Sequence, residues 1–173
     1  KEIVSLVVDH GALSVVDAVC TLSTVPLKKD EWGIDVVVTG SQKGLSSIPG
    51  VSLIAFSERA WEVAARRTAP KPHWCLDVMR AEKFWGQDSY HYTAPVPALL
   101  ALHEALRLII EETLEQRFKR HLHSSLSLQK GVEAMGLELY APPEYRLNSV
   151  LSIEVPDGVD DARLRKYMTD RFK

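Results

Sequence analysis

Two side chains suited to chemistry follow two neighbouring apolar segments of the sequence. Asp17 ends the strand-like run in "ALSVVDAV", and Lys43 comes 26 residues later, directly after "IDVVVTG" and the small polar pair "SQ". Near-continuous apolar runs of this length are typical of strands in a covered parallel sheet. Ligands of open α/β sheets bind outside the carboxyl ends of the strands. If the two strands are neighbours, the carboxylate and the amine reach the same crevice.

This pair of residues has two interpretations. In the first, Asp17 and Lys43 form a structural ion pair, or lie separately on the surface where the strands end. In the second, they hold pyridoxal phosphate. A lysine amine then bonds to the cofactor aldehyde, and a carboxylate keeps the ring nitrogen protonated so that the ring accepts electrons. Residue types and spacing alone leave both interpretations open.

Composition narrows the class of protein. The chain has 46% hydrophobic and 25% charged residues, as globular proteins do, and a net charge of −2 gives no reason to expect a nucleic-acid partner. The apolar stretch "PVPALLALHEALRLII" is interrupted by His103, Glu104 and Arg107, so we expect no membrane span. Two cysteines fit a reducing compartment. We therefore expect a cytoplasmic location, with peroxisomes or mitochondria left open for a eukaryotic source.

Strand and helix patterns alternate over the first part of the chain. They predict a helix that ends at Gly11, buried strands in "ALSVVDAV", "IDVVVTG" and "VSLIAFS", and a helix "ERAWEVAARR" capped by Ser57. From Pro97 two helices follow, and the second ends at Gly136. Such alternation predicts an α/β fold with a mostly parallel sheet flanked by helices.

The last part of the chain has a different pattern. Short strands are predicted in "LELYA" and "VLSIEVP", followed by a turn at Asp157-Gly158 and an amphipathic helix. These elements predict the start of a small α+β subdomain. We divide the chain into residues 1–116, part of a large α/β domain, and residues 117–173, the beginning of the small domain.

Longer segments of the sequence resemble one known family. The segment "VVDAVCTLSTVPLKKDEWGIDVVVTGSQKGL" resembles the cofactor segment of the class V aminotransferases, especially the alanine–glyoxylate and serine–pyruvate group. The resemblance continues through "YHYTAPVPALLALHEAL", "EETLEQRFKRH" and "MGLELY", and so covers essentially the whole chain. It implies the fold of pyridoxal-phosphate-dependent transferases of fold type I, with a large cofactor-binding domain. It favours the cofactor interpretation over the ion pair.

The resemblance implies roles for four residues at the strand ends. Lys43 bonds to the cofactor aldehyde as a Schiff base, and its freed amine later moves a proton between the substrate Cα and the cofactor C4′. Asp17 pairs with the ring nitrogen and Val19 lies against one face of the ring. Gln42 donates a hydrogen bond to the cofactor phosphate.

The resemblance at two further residues implies that the protein forms a dimer. Tyr90 and Thr93 match family positions that reach the phosphate of the neighbouring subunit. The resemblance therefore implies a homodimer with shared active sites, acting on a small amino acid and a 2-oxo acid.

The sequence also departs from the family. Cys20, Ser23 and Thr24 stand where the family often has smaller residues, which leaves the amino donor open. The family's phosphate loop and its arginine for the substrate carboxylate have no counterpart in this sequence, which opens without Met inside a helical pattern. We interpret it as an internal segment, and we expect the isolated polypeptide to show little or no transamination.

The resemblance leads to one principal hypothesis for function. The protein transfers an amino group from alanine or serine to glyoxylate or another small 2-oxo acid. Alternatives of the same class are ureidoglycine–glyoxylate and 3-hydroxykynurenine aminotransferases. An alternative of another class is a non-catalytic fragment or assembly partner that keeps the scaffold.

No metal site is expected. His121 and His123 are metal ligands by type, but residues two apart on a helix point to different sides, and no cysteine or carboxylate cluster accompanies them. We interpret both as part of a solvated helix face.

Overall fold

The computed structural model describes residues 1–87, 89 and 92–172. Within that part of the chain, the strands are β1 (Val15–Asp17), β2 (Val36–Gly40) and β3 (Ser52–Phe56). The helices are α1 (Glu2–Asp9), α2 (Glu58–Arg66), α3 (Val78–Trp85), α4 (Val96–Glu112), α5 (Leu114–Ala134) and α6 (Asp161–Phe172). Short 3₁₀ turns lie at Trp74–Leu76 and Pro143–Tyr145. None of the helices formed by the described residues has both the length and the apolarity needed to cross a bilayer.

The three strands form one sheet in the order β1-β2-β3. β1 pairs with β2 in parallel, with Asp17 opposite Val38. β3 pairs with β2 in the antiparallel sense, with Gly40 opposite Ser52. The alternating pattern predicted a parallel partner here instead. The connection between β2 and β3 is a turn without a helix, and a parallel crossover needs a dozen or more residues. A short connection therefore returns the chain in the opposite direction.

The burial of β1 differs from the prediction. β2 is largely buried, as its apolar run predicts, but β1 follows an exposed, half-buried, exposed pattern and Val15 is 66% exposed. Within the described residues β1 pairs on one side only, with β2. An edge strand has no neighbour to cover its outer side chains, so an apolar sequence alone does not bury it.

The predicted helices agree closely with the observed ones. Ser57 caps α2 as expected, because its hydroxyl accepts a hydrogen bond from the Ala60 N–H at 3.1 Å. α4 and α5 are separated by a single residue, Thr113, whose φ is 67°. This left-handed residue ends one helix and caps the next, so α5 leaves in a new direction.

Two hydrophobic clusters hold the sheet and the helices together. The first contains Val4 of α1, Ala18, Ile34 and Val37. The second contains Leu45, Leu102 and Ile109, so the segment after β2 packs on α4. Leu22 packs against both clusters. The turn after β1 therefore lies between the two parts of the core.

The last part of the chain is less regular than predicted. The two expected strands reduce to a single antiparallel bridge between Leu139 and Ile153, flanked by backbone hydrogen bonds. The turn at Asp157-Gly158 is present, and α6 follows it with no buried residue. Ser149 Oγ donates to the Cys20 carbonyl at 2.5 Å, which ties this part to the turn after β1. The division of the chain after residue 116 stays a prediction.

A buried carboxylate joins the amino ends of β1, β2 and α2. Asp35 is 4% exposed and accepts hydrogen bonds from the Ser14 N–H at 2.9 Å and from the Ser57 hydroxyl at 3.0 Å. The Arg59 Nε lies 3.3 Å from its Oδ1. Burial alone would raise the pKa of Asp35. The hydrogen bonds from Ser14 and Ser57, with the Arg59 charge, outweigh burial and lower the pKa below its ordinary value.

We expect Asp35→Asn to lower the free energy of unfolding by about 1–3 kcal/mol at neutral pH, because the buried donors lose their ionised acceptor. The lowered pKa means that the ionised form stabilises the fold. This stabilisation is complete above the unfolded pKa and is lost as pH falls through the folded pKa. The free energy of unfolding of the wild type, measured in urea, should therefore fall between roughly pH 6 and pH 3 by more than that of the variant.

Asp30→Asn is the matched control, since the Asp30 side chain is 93% exposed and, within the described part of the chain, pairs with Lys29 alone. Equal losses of stability in the two variants would contradict the role assigned to Asp35.

Candidate active site at the ends of β1 and β2

The parallel pairing of β1 and β2 brings the predicted pair to one edge of the sheet. Asp17 is the last residue of β1, and Lys43 follows the end of β2 by three residues. Both residues are exposed. The carboxyl ends of parallel strands meet at the same edge, which is where such sheets bind ligands. The first requirement of the cofactor interpretation is therefore met by the fold.

Hydrogen bonds join the two segments that carry these residues. The Gly44 N–H donates to the Val19 carbonyl at 3.2 Å. The Ser23 hydroxyl donates to the Gly44 carbonyl at 2.6 Å. Both polar groups of Gly44 thus bond to the turn after β1. Because Gly44 directly follows Lys43, this turn fixes the backbone that carries the lysine.

Residue 44 must be small for this contact to form. A Cβ added to Gly44 would lie 2.2 Å from the Leu22 carbonyl oxygen, far inside the contact distance of real Cβ atoms. Leu45, the next residue, is 3% exposed and packs in the second hydrophobic cluster. The buried leucine and the close glycine contact anchor the segment while the Lys43 side chain points away from the core into solvent.

Asp17 and Lys43 do not form an ion pair among the described residues, so the ion-pair form of the structural interpretation is wrong. Among the described residues, the Lys43 amine makes no salt bridge or hydrogen bond. The Asp17 Oδ1 accepts a hydrogen bond from the Val19 N–H at 2.9 Å, and Oδ2 has no protein donor within the same residues. A free amine and a carboxylate with one unused oxygen fit an aldehyde cofactor with a basic ring nitrogen.

The other predicted site residues are distributed as follows. Val19 is half-buried and Gln42 is exposed, and both lie in the two joined segments. Thr93 is exposed and lies before α4, outside these segments. Tyr90 lies outside the described residues. The structure thus brings Asp17, Val19, Gln42 and Lys43 to one edge.

Arg117, for which the sequence motifs predict no role, contacts the same edge of the sheet. Arg117 is 5% exposed although it is charged. Its Nη2 donates to the Gly44 carbonyl at 2.9 Å and its Nε donates to the Ser23 Oγ at 3.2 Å. One signal was available: Arg117 follows Ile110 by seven residues and Leu114 by three, so it occupies an apolar-stripe position.

The expectation that His121 lies on a solvated helix face is wrong. It is half-buried rather than solvated, and its Nε2 is buried without a hydrogen-bond partner among the described residues. Burial, with the charges of Arg120 and Arg117, lowers the pKa of His121, so the imidazole is neutral at physiological pH. His123 is exposed, as expected.

A large cavity lies elsewhere on the molecule. It has a volume of about 840 Å³ and is lined mainly by apolar side chains of β3, α2 and α3, including Phe56, Val63 and Met79. Neither Asp17 nor Lys43 lines it. The polar groups suited to chemistry and this apolar cavity are therefore separate, and the residues of the strand ends define the candidate site.

Comparisons with known proteins identify the family of this chain. The family model for class V aminotransferases matches residues 1–171. The chain belongs to the class V aminotransferase family. Enzymes of this family depend on pyridoxal phosphate. Among the similar class V proteins, the alanine–glyoxylate aminotransferase of Callithrix jacchus is 37% identical over 169 residues, which cover 94% of this chain. The (S)-ureidoglycine–glyoxylate transaminase of Bacillus subtilis is 33% identical, with the same 94% covered.

A solved class V structure confirms the predicted fold type. The crystal structure of the alanine–glyoxylate aminotransferase from Nostoc sp. superposes with a TM-score of 0.92, at 38% identity, over 99% of this chain. The chain spans 41% of the Callithrix jacchus protein, 44% of the Bacillus subtilis protein and 46% of the Nostoc chain. The 173 residues thus correspond to less than half of each of these aminotransferases.

Gly44→Ala tests the close contact of the two segments. We expect the free energy of unfolding to fall by about 1–3 kcal/mol or more, because the Leu22 backbone must move to admit a methyl group. Thermal or urea unfolding measures the loss.

Gly131→Ala provides the matched control for this substitution. Gly131 lies within α5 and a Cβ there meets nothing within 4 Å. Alanine at this helix position should stabilise by about 0.5–1 kcal/mol. A Gly44→Ala protein as stable as the wild type would show that the segments are not in tight contact.

Proposed function

We propose that this protein is a pyridoxal-phosphate-dependent aminotransferase that transfers an amino group from a small amino acid to glyoxylate or another small 2-oxo acid. The observation that carries the proposal is the unpaired Lys43 amine, which follows β2 at the same end of the sheet as Asp17, the last residue of the parallel strand β1. Relatives named for alanine–glyoxylate transamination support the choice of substrates. Alanine or serine is the proposed donor.

Lys43 acts at two points in this proposal. When bound, pyridoxal phosphate supplies an aldehyde that an amine can bond and a ring that withdraws electrons from the substrate Cα. The Lys43 amine first holds the cofactor covalently. Once an amino substrate had displaced it, the free amine would be the group that moves a proton between the substrate Cα and the cofactor C4′. The fixed backbone at Gly44 keeps that amine within reach for both tasks.

Asp17 has an electrostatic role. The Val19 N–H donates to its Oδ1 at 2.9 Å and so limits the rotation of the carboxylate. The other oxygen is then available to hold a proton on the ring nitrogen. A carboxylate in this position favours the cationic ring, which is the better electron acceptor.

The remaining roles concern the phosphate and the assembly. Gln42 donates to the cofactor phosphate and Val19 packs on the ring face. Tyr90 and Thr93 contact the phosphate bound by the other subunit of a homodimer, which makes the active sites shared. Residues 1–116 belong to the large domain and residues 117–173 to the small one.

Ureidoglycine is a second candidate for the amino donor. The Bacillus subtilis relative is named for ureidoglycine, and Cys20 and Ser23 give the turn after β1 its own polar groups. A panel of alanine, serine and ureidoglycine, each with glyoxylate, distinguishes these donors by kcat/KM in protein expressed from its complete gene.

Lys43→Ala tests the covalent role of the lysine. In protein expressed from its complete gene, borohydride reduction should fix the cofactor on the wild-type peptide that contains Lys43, as read by mass spectrometry. The variant should carry no label and lose at least about 1,000-fold in kcat, because proton transfer and covalent binding both disappear.

Lys28→Ala is the matched control, because Lys28 is an exposed lysine that pairs with Glu31 at 2.7 Å. It should keep both label and activity. A label on another lysine would refute the assignment of Lys43, and a wild-type protein that takes up no cofactor would favour a non-catalytic scaffold.

A further inference from the structure

Arg117 forms the most extensive buried polar network near the site. Its side chain is 6% exposed and donates to groups distant in sequence. Nη2 bonds to the Gly44 carbonyl at 2.9 Å and to the Ser46 Oγ at 2.8 Å, and Nε bonds to the Ser23 Oγ at 3.2 Å. One guanidinium on α5 thus holds both the lysine segment and the turn after β1.

The network coincides with unusual backbone geometry. Among the described residues, the non-glycine residues with positive φ are Ser23 at 69°, Ser46 at 60° and Thr113 at 67°. Ser23 and Ser46 accept hydrogen bonds from the Arg117 side chain. The Thr113 carbonyl accepts one from the Arg117 N–H at 3.0 Å. Left-handed conformations of this kind persist where surrounding contacts enforce them, and they cluster at functional sites.

The charge of Arg117 is balanced without involving the site. Its Nη1 lies 3.2 Å from the Glu112 Oε2. Hydrogen bonds from Arg120 and Arg117 lower the pKa of Glu112 to about 2, so this carboxylate stays ionised at any physiological pH. Arg117 therefore needs no carboxylate from the active site, and Asp17 is left for the cofactor.

The consequence for Lys43 follows from the peptide next to it. The Gly44 N–H bonds to Val19, and the Gly44 carbonyl accepts from both Ser23 and Arg117. The Lys43 carbonyl accepts from the Ser46 N–H at 2.9 Å, and Ser46 is itself held by Arg117. Arg117 thus bonds the Gly44 carbonyl directly and holds Ser46, whereas the bond from the Gly44 N–H to Val19 does not involve it.

We propose that Arg117 is a positioning residue for Lys43, which holds the lysine segment against the turn after β1 so that the amine meets the cofactor aldehyde in bonding geometry. The proposal rests on the proposed function, because it concerns the reaction of Lys43 with that aldehyde. In this reaction the amine nitrogen bonds to the aldehyde carbon, and the aldehyde oxygen leaves as water.

Arg117→Gln separates positioning from a general structural role. Apoprotein from the complete gene is mixed with pyridoxal phosphate, and the absorbance change gives the rate of covalent bonding. We expect a rate between about 10-fold and 100-fold slower than wild type, because small misplacement of a reacting group has effects of this size. The affinity for pyridoxamine phosphate, which has no aldehyde and forms no bond with Lys43, should change by less than about threefold.

Arg120→Gln is the matched control. Arg120 bonds to the same Glu112 carboxylate at 2.5 and 2.9 Å, but no hydrogen bond joins it to either segment among the described residues. Both readouts should stay near wild type. Ser46→Ala is the milder variant to use if Arg117→Gln does not fold. It removes one acceptor of the guanidinium and leaves Arg117 in place. It should slow covalent bonding in the same direction, by a smaller factor.

Three outcomes would overturn the proposal, and they are distinguishable. An unchanged bonding rate in Arg117→Gln and Ser46→Ala would remove the positioning role while leaving the proposed function intact. If Arg117→Gln lost affinity equally for pyridoxal phosphate and for pyridoxamine phosphate, Arg117 would only maintain the fold. A wild-type protein in which Lys43 never bonds to pyridoxal phosphate would refute the proposed function itself.

Discussion

The site depends on one peptide group, that of Gly44, which the turn after β1 bonds from both sides. Its N–H reaches the Val19 carbonyl and its carbonyl accepts from Ser23 and Arg117. Such contact requires glycine, because a side chain would collide with the Leu22 carbonyl. Lys43 therefore projects from a backbone fixed by hydrogen bonds, steric fit and the burial of Leu45 together. An amine on a mobile loop would have to pay an ordering cost at each reaction.

The charged residues around the site pair with one another and leave Asp17 and Lys43 without a charged partner among the described residues. Glu112 balances Arg117 and Arg120 on the helix side, and Asp35 pairs with Arg59 at the opposite edge of the sheet. Asp17 and Lys43 stay unpaired among the described residues. Unpaired charges are tolerable here because both residues are exposed, whereas a buried charge would need compensation.

The sequence predicts the strand ends well and the long-range contacts poorly. Asp17 and Lys43 follow apolar runs, and the length and period of such runs can be recognised from a few neighbouring residues. Ser57 has a residue type that commonly caps helices. The antiparallel direction of β3 and the exposure of Val15 depend on connections and neighbours that no local pattern records. Arg117 contacts residues 71 to 94 positions away. A charged residue on an apolar stripe was its only local sign.

The packing of Leu22 against both hydrophobic clusters has a consequence for local opening of the fold. Because this one side chain touches both hydrophobic clusters, the turn after β1 cannot swing open without loosening each of them. Backbone amides of the turn would then exchange with deuterium only through a cooperative subglobal event, unlike those of frayed surface loops. We therefore expect the turn that carries Leu22 to exchange more slowly than the exposed loops of the described chain.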